Sequence, residues 1–161
     1  MIKKILKGAL TLALFGFVFV ALDLYRGRQI VKAPALPGEL LSIQAEPINL
    51  LALSHQQPVL VYFWATWCGP CKAVSPQVNW LSQTYKVVSF AMDSGSPEEV
   101  AAYMREAGFE FTVVNDPNNQ WGGLFGVSAT PTVVVLKNGK VTSSTMGVST
   151  PLGLWLRLVF S

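Results

Sequence analysis

Residues 59–72 read VLVYFWATWCGPCK. The first six are an unbroken β-branched and aromatic run, the pattern of a strand covered on both faces. The last six, Trp67-Cys68-Gly69-Pro70-Cys71-Lys72, stand where that strand hands over to a segment of helical pattern, predicted over about 68–84 with Pro76 kinking its interior. Cysteine chemistry suits this position. The thiolate is the nucleophile, and a helix N-terminus stabilises negative charge through unpaired N–H groups and its dipole. Cys68, in the first turn, receives that benefit. Cys71, three residues on, shares its helix face, so the two sulfurs can close a disulfide with little motion. Gly69 and Pro70 keep the short loop tight, and proline is tolerated there because a first turn needs no N–H. Trp67 immediately precedes the candidate nucleophile and is placed to flank a substrate groove. Lys72 reads as a solvated helix residue.

The pair has other possible uses. It could be a buried structural thiol pair, or a Cu(I) site, since soft thiolates select that ion. A c-type haem attachment would need histidine after the second cysteine, where Lys72 stands. Two cysteines and one histidine, His55, do not complete a four-ligand zinc site. No metal is therefore assigned, and His55 reads as a surface residue. Trp64, Trp80 and Trp155 suit core packing.

Working outward, 87–92 is a second buried strand and 97–107 a helix, with Ser96 as its cap, Pro97 in its first turn and Gly108 past its end. A short strand follows at 111–114 and a weak helix at 119–125. Strands at 132–137 and 140–146 are joined by Asn138-Gly139, a strong hairpin signal. Thr150-Pro151 caps a last helix over 152–159. Before the central strand, 40–44 and 47–49 suggest a short edge hairpin and 50–54 a helical turn. The order β-α-β-α-β-α-β-β-α predicts parallel early strands and an antiparallel closing edge.

The chain has 161 residues, 51% of them hydrophobic and 13% charged. That balance directs attention to a membrane segment. Lys3, Lys4 and Lys7 precede an uncharged apolar run over 8–22. Residues 5–25 as a helix would be about 31 Å long, enough to span. An uncleaved anchor over 1–25 and a linker over 26–38 are therefore expected, with the globular domain at 39–161. The alternative is a cleaved signal with Ala33-Pro34-Ala35 as its site. That site lies far past the apolar run and behind Arg26, Arg28 and Lys32. The order of basic flank then apolar run favours the C-terminal domain outside the cytoplasm. The net charge is +3, but from Leu36 onward six basic side chains face eight acidic ones, a balance of −2. Nothing there forms an electrostatic footprint for nucleic acid.

The stretch FWATWCGPCK, 63–72, resembles the active-site signature of the thioredoxin superfamily. Ala129-Thr130-Pro131-Thr132, followed by VVVLKNGKV and Met146-Gly147, resembles the segment holding that family's cis-proline. Residues 93–116 resemble the insertion of membrane-anchored, TlpA-type periplasmic thioredoxins. Within these the chain is most similar to small anchored protein disulfide oxidoreductases linked to copper tolerance. The resemblance runs from about residue 40 and implies an α/β, thioredoxin-like fold, a central mixed sheet flanked by helices, here preceded by one N-terminal transmembrane helix. It implies that Cys68 attacks and Cys71 resolves. It also implies that Thr130-Pro131 is a cis peptide excluding metal from the thiols, that the Thr130 backbone pairs with extended substrate, and that Gly147 lies in the loop beside the cysteines. In one place the chain departs from the family. A buried Asp normally stands two residues before the Trp of FWA, and here that residue is Tyr62. Asp93, Glu98 and Glu99 are the candidates to replace it, with water as the alternative.

The expected activity is thiol–disulfide exchange on extracytoplasmic protein disulfides, with no cofactor beyond the cysteine pair. Gly-Pro between the cysteines is what thioredoxin has, a strong reductant near −270 mV, so reduction is the expected direction. An oxidant on the same fold and a Cu(I) module without turnover are the alternatives. The implied partners are protein substrates with disulfides or thiols, the membrane through a single anchor, and a membrane protein that donates electrons. The expected location is the inner (cytoplasmic) membrane, with the catalytic domain in the periplasm or otherwise outside the cytoplasm.

Overall fold

A strand with no polar side needs a covering layer on each face and a partner on each edge. The computed structural model supplies all four to residues 59–64. It describes residues 30–36 and 38–161, together with Thr11 and Leu14. Along the chain the elements are β1 (Leu40–Leu41), β2 (Pro47–Ile48), α1 (Leu50–Gln56), β3 (Val59–Trp64), α2 (Cys71–Ser82), β4 (Lys86–Met92), α3 (Pro97–Ala107), β5 (Thr112–Asp116), α4 (Gln120–Leu124), β6 (Thr132–Lys137), β7 (Lys140–Met146) and α5 (Pro151–Val159). β3 is the middle of a five-stranded sheet ordered β5-β4-β3-β6-β7. β3, β4 and β5 run parallel, and β6 and β7 are antiparallel to their neighbours, as the alternation of elements predicts. This is the thioredoxin-like arrangement.

The strand period of two splits β3 between two cores. Leu60, Tyr62 and Trp64 face one cluster, with Cys68, Cys71, Val74 and Val78 near or on α2, Val100 and Met104 on α3, and Leu154 and Leu158 on α5. Val59, Val61 and Phe63 face the other, with Leu50 on α1, Phe90 on β4 and Phe125 after α4. Phe63 stacks on Phe90 at 5.2 Å between ring centroids, and Phe125 packs on Phe63 at the same separation.

Several local expectations are sharpened. Asn138 and Gly139 both have left-handed backbones, φ 51° and 71°, which is what a two-residue turn matching strand twist requires. β1 and β2 form their own two-stranded ladder, and the loop between them reaches the sheet edge through Ile43 N–H donating to the Val113 carbonyl. α2 begins at Cys71 rather than near Cys68, and Pro76 sits inside it without ending it. Trp80 is 60% exposed, so its expected place in the core is corrected, whereas Trp64 is fully buried. Trp80 falls on the face of α2 opposite Val74, Val78 and Leu81. His55 is exposed.

The anchor expected at 1–25 lies outside the described residues apart from Thr11 and Leu14. Among the described residues no helix is long and apolar enough to cross a membrane. Part of the expected linker is seated on the domain. Ile30 is buried at 3% exposure, Val31 N–H donates to the Phe125 carbonyl at 3.0 Å, and the Lys32 carbonyl accepts from Val141 N–H at 2.8 Å.

Candidate active site

Cys68 and Cys71 are joined as a disulfide, with Cα atoms 5.3 Å apart. Tight turns build the passage from β3 into α2. Cys68 N–H donates to the Ala65 carbonyl, Cys71 N–H to the Cys68 carbonyl and Lys72 N–H to the Gly69 carbonyl. Cys68 thus precedes the α-helix instead of lying in its first turn. The electrostatic benefit survives, because Cys71 N–H also donates to Cys68 Sγ at 3.2 Å. A sulfur that accepts a backbone N–H at a helix start is favoured as thiolate. Both cysteines belong to the core cluster, Cys68 at 4% exposure and Cys71 at 1%. Gly69 has an ordinary backbone, and a Cβ there would meet nothing within 4 Å, so tightness does not require glycine at this position.

Trp67 is 65% exposed beside this nearly closed site. Its indole N–H donates to the Asp93 carbonyl at 2.7 Å, and Thr66 N–H donates to buried Ser94 Oγ at 3.1 Å. The loop after β4 therefore holds the loop after β3 at two points. Nothing in the sequence marks Ser94, since a serine in an Asp-Ser-Gly loop carries no signal of its partner.

The second predicted segment arrives at the same end of the sheet. Phe63 pairs with Thr132, which brings Thr130-Pro131 beside the residues that follow Trp64. That peptide is cis. Pro131 is buried and Thr130 half-buried. Gly147, at φ 93°, donates its N–H to the Pro131 carbonyl at 2.7 Å, so the loop after β7 closes over the proline.

The acid candidates do not fill the place of Tyr62. Asp93, Glu98 and Glu99 are all exposed. Glu99 accepts from Ser96 N–H in the capping box of α3, and Glu98 is held below the usual carboxylate range by its own backbone N–H and then by the Ser96 hydroxyl. The buried carboxylate among the described residues is Asp116, whose Oδ2 accepts from Trp121 N–H and Gly122 N–H at the start of α4. Tyr62 itself is fully buried, and its hydroxyl lies 3.0 Å from Ser75 Oγ. Burial pushes the phenol above its ordinary value, so it stays neutral wherever the protein works. Among the described residues no three His, Cys, Asp or Glu side chains gather as a metal site. A concavity lined by Gln57, Gln83, Tyr85 and Glu110 lies at the opposite end of the sheet from the cysteines.

Residues 45–155 match the family model Thioredoxin. A "Thioredoxin-like protein" of Haemophilus influenzae is 36% identical over 166 residues, covering 99% of this chain and 96% of its own. The "Thiol-disulfide oxidoreductase ResA" of Geobacillus thermodenitrificans is 29% identical over 88% of this chain and 84% of its own. Among solved structures, a Chlorobium tepidum protein assigned as a thiol:disulfide interchange protein DsbE superposes with a TM-score of 0.69 at 25% identity, over 81% of this chain and 97% of its own. StoA from Bacillus subtilis superposes with a TM-score of 0.64 at 23% identity, over 76% and 99%, a likeness of fold.

Proposed function

The chain belongs to the thioredoxin family and is a thioredoxin-like protein-disulfide oxidoreductase, and from that premise we propose that it reduces disulfides of proteins outside the cytoplasm while anchored by residues 1–25. The observation that carries this reading is the Cys68–Cys71 disulfide at the start of α2, with Cys71 N–H aimed at Cys68 Sγ. Cys68 thiolate attacks a substrate disulfide and forms a mixed disulfide. The released substrate sulfur takes up a proton. Cys71 then attacks Cys68 Sγ, the second substrate sulfur leaves, and the Cys68–Cys71 bond closes. Two electrons pass from the dithiol to the substrate. Trp67 and Thr130-Pro131 form the surface over which an extended substrate segment lies, and Gly69-Pro70 sets the spacing of the thiols.

The reductive direction is supported by Gly69-Pro70, the dipeptide of thioredoxin. Export is supported by Lys3, Lys4 and Lys7 ahead of an apolar stretch of spanning length. A reductant outside the cytoplasm needs its disulfide reopened, so a membrane protein carrying reducing equivalents is the implied partner. The test has two arms. Equilibration of the full-length protein in glutathione buffers is expected to give a potential nearer thioredoxin (about −270 mV) than DsbA (about −120 mV), and a value above about −180 mV would reverse the direction. A phosphatase fused after Ser161 is expected to be active and to stay with membranes through a carbonate wash. Release into the soluble fraction would point to cleavage near Ala35.

A further inference from the structure

Ser75 and Cys71 are one turn apart on α2, both buried and on the same face, which places their Cβ atoms about 5–6 Å apart. Tyr62 reaches Ser75 from β3 across the core that contains both cysteines. The bond between the two hydroxyls uses one of their two hydrogens. Among the described residues the structure shows no other hydrogen bond to either oxygen. Both side chains are at 0% exposure, so water does not readily satisfy the second hydrogen. Besides the two cysteines, the titratable side chains in or against this core are phenols, namely Tyr62, Tyr85 and Tyr103. Lys72, Asp93, Glu98 and Glu99 are exposed, and Arg157 on α5 is engaged by Ser143 Oγ and the Ser144 carbonyl of β7. Among the described residues, a thiolate at Cys71 therefore finds no charge of either sign buried beside it.

We propose that Tyr62 and Ser75 form a neutral hydroxyl relay that holds the Cys71 thiolate, with Tyr62 O–H donating to Ser75 Oγ and Ser75 O–H donating to Cys71 Sγ. No proton passes to either hydroxyl. The Cys71 proton goes to solvent water as the mixed disulfide opens the site. Donation from Ser75 then stabilises the resulting thiolate until it attacks Cys68 Sγ and expels the substrate thiolate. A neutral donor favours the charged form of Cys71, whereas burial alone opposes it. This rests on the assignment of Cys71 as the resolving thiol.

The test uses the reduced full-length protein in detergent with an aromatic disulfide that releases a coloured thiolate. The first equivalent reports attack by Cys68, and the second reports resolution by Cys71. Ser75→Ala is expected to slow the second release roughly tenfold at neutral pH, the loss of one charge-assisted hydrogen bond, and to move its pH midpoint up by about one unit. Tyr62→Phe, which keeps the ring, is expected to shift both in the same direction by less. Ser75→Thr is expected to restore the wild-type profile. The first release should stay within about twofold throughout, a readout that simple loosening of the core would not spare. An unchanged second-step profile in whichever of Ser75→Ala and Tyr62→Phe folds overturns the relay. If Cys68→Ala keeps the wild-type rate of first release while Cys71→Ala loses it, the assignment of the resolving thiol falls instead.

Discussion

At Cys68 the backbone, more than any side chain, sets the chemistry. Among the described residues, the polar group on its sulfur is the Cys71 N–H, presented because Gly69 and Pro70 wind the chain into α2. Exposure differs little between the two cysteines, 4% against 1%, so residue burial alone would make them nearly equivalent. The hydrogen bond breaks that symmetry. Cys68 is expected to be alkylated faster and at lower pH in the reduced protein. Cys71→Ala is expected to accumulate mixed disulfides on a non-reducing gel and Cys68→Ala to accumulate few. A Cu(I) site would lose metal equally in both variants and trap no protein. Equal alkylation rates with no adduct in either variant would falsify the exchange mechanism. The cysteines, Trp67 and Thr130-Pro131 were legible because local pattern and motif mark them. Ser75 could have been found, since its position four residues after Cys71 puts it on the same helix face. The hold of Ser94 on Thr66 could not, because it joins loops 28 residues apart through a backbone N–H.

The sequence marks α4 only weakly, and its own residues hold it weakly. α4 has five residues, two of them Gly122 and Gly123, and such a helix is not stable by propensity. It is held by a carboxylate outside it. Asp116, at the end of β5, accepts from two of its first N–H groups at 3.1 and 2.9 Å. A Cβ at 122 would lie 2.4 Å from Met92 Cε, so a larger residue there would have to displace the flexible end of that side chain. Asp116→Ala strands two N–H donors in a buried setting and is expected to cost about 2–3 kcal/mol in urea unfolding, with Asp116→Asn losing less. A loss below about 0.5 kcal/mol would mean that α4 is held by Phe125 and Trp121 packing instead. β3, by contrast, was plain from sequence because both its faces are apolar. The early limit drawn for α2 has a physical reason too. Residues 68–70 already bond as turns, but their hydrogen bonds reach back three residues rather than four.

For the molecule as a whole, the sequence placed the start of the domain at residue 39, after the breakers Leu36-Pro37-Gly38. Composition justified that boundary, but packing extends it. Ile30 is buried in the second core with Leu40, Phe125 and Val141, and backbone bonds join Val31 to Phe125 and Lys32 to Val141. With the proposed anchor ending at residue 25, only 26–29 separate it from Ile30. Extended chain of that length reaches at most about 14 Å, so such an anchor would hold the domain against the membrane surface. The seating of 30–32 can be tested without the membrane. A domain beginning at residue 39 uncovers Phe125 and Val141 and loses the burial of Ile30. Relative to one beginning at residue 30, it is expected to be less stable by roughly 1–3 kcal/mol, the range for burying one aliphatic side chain. Its midpoint in urea should fall with the slope nearly unchanged. Ile30→Ala in the longer form is expected to reproduce most of that loss, because the side chain carries the apolar contact while the two backbone bonds remain. Equal midpoints for the two starts would show that 30–36 is a passive tether, and the active centre would then be free to swing on the full length of 26–38.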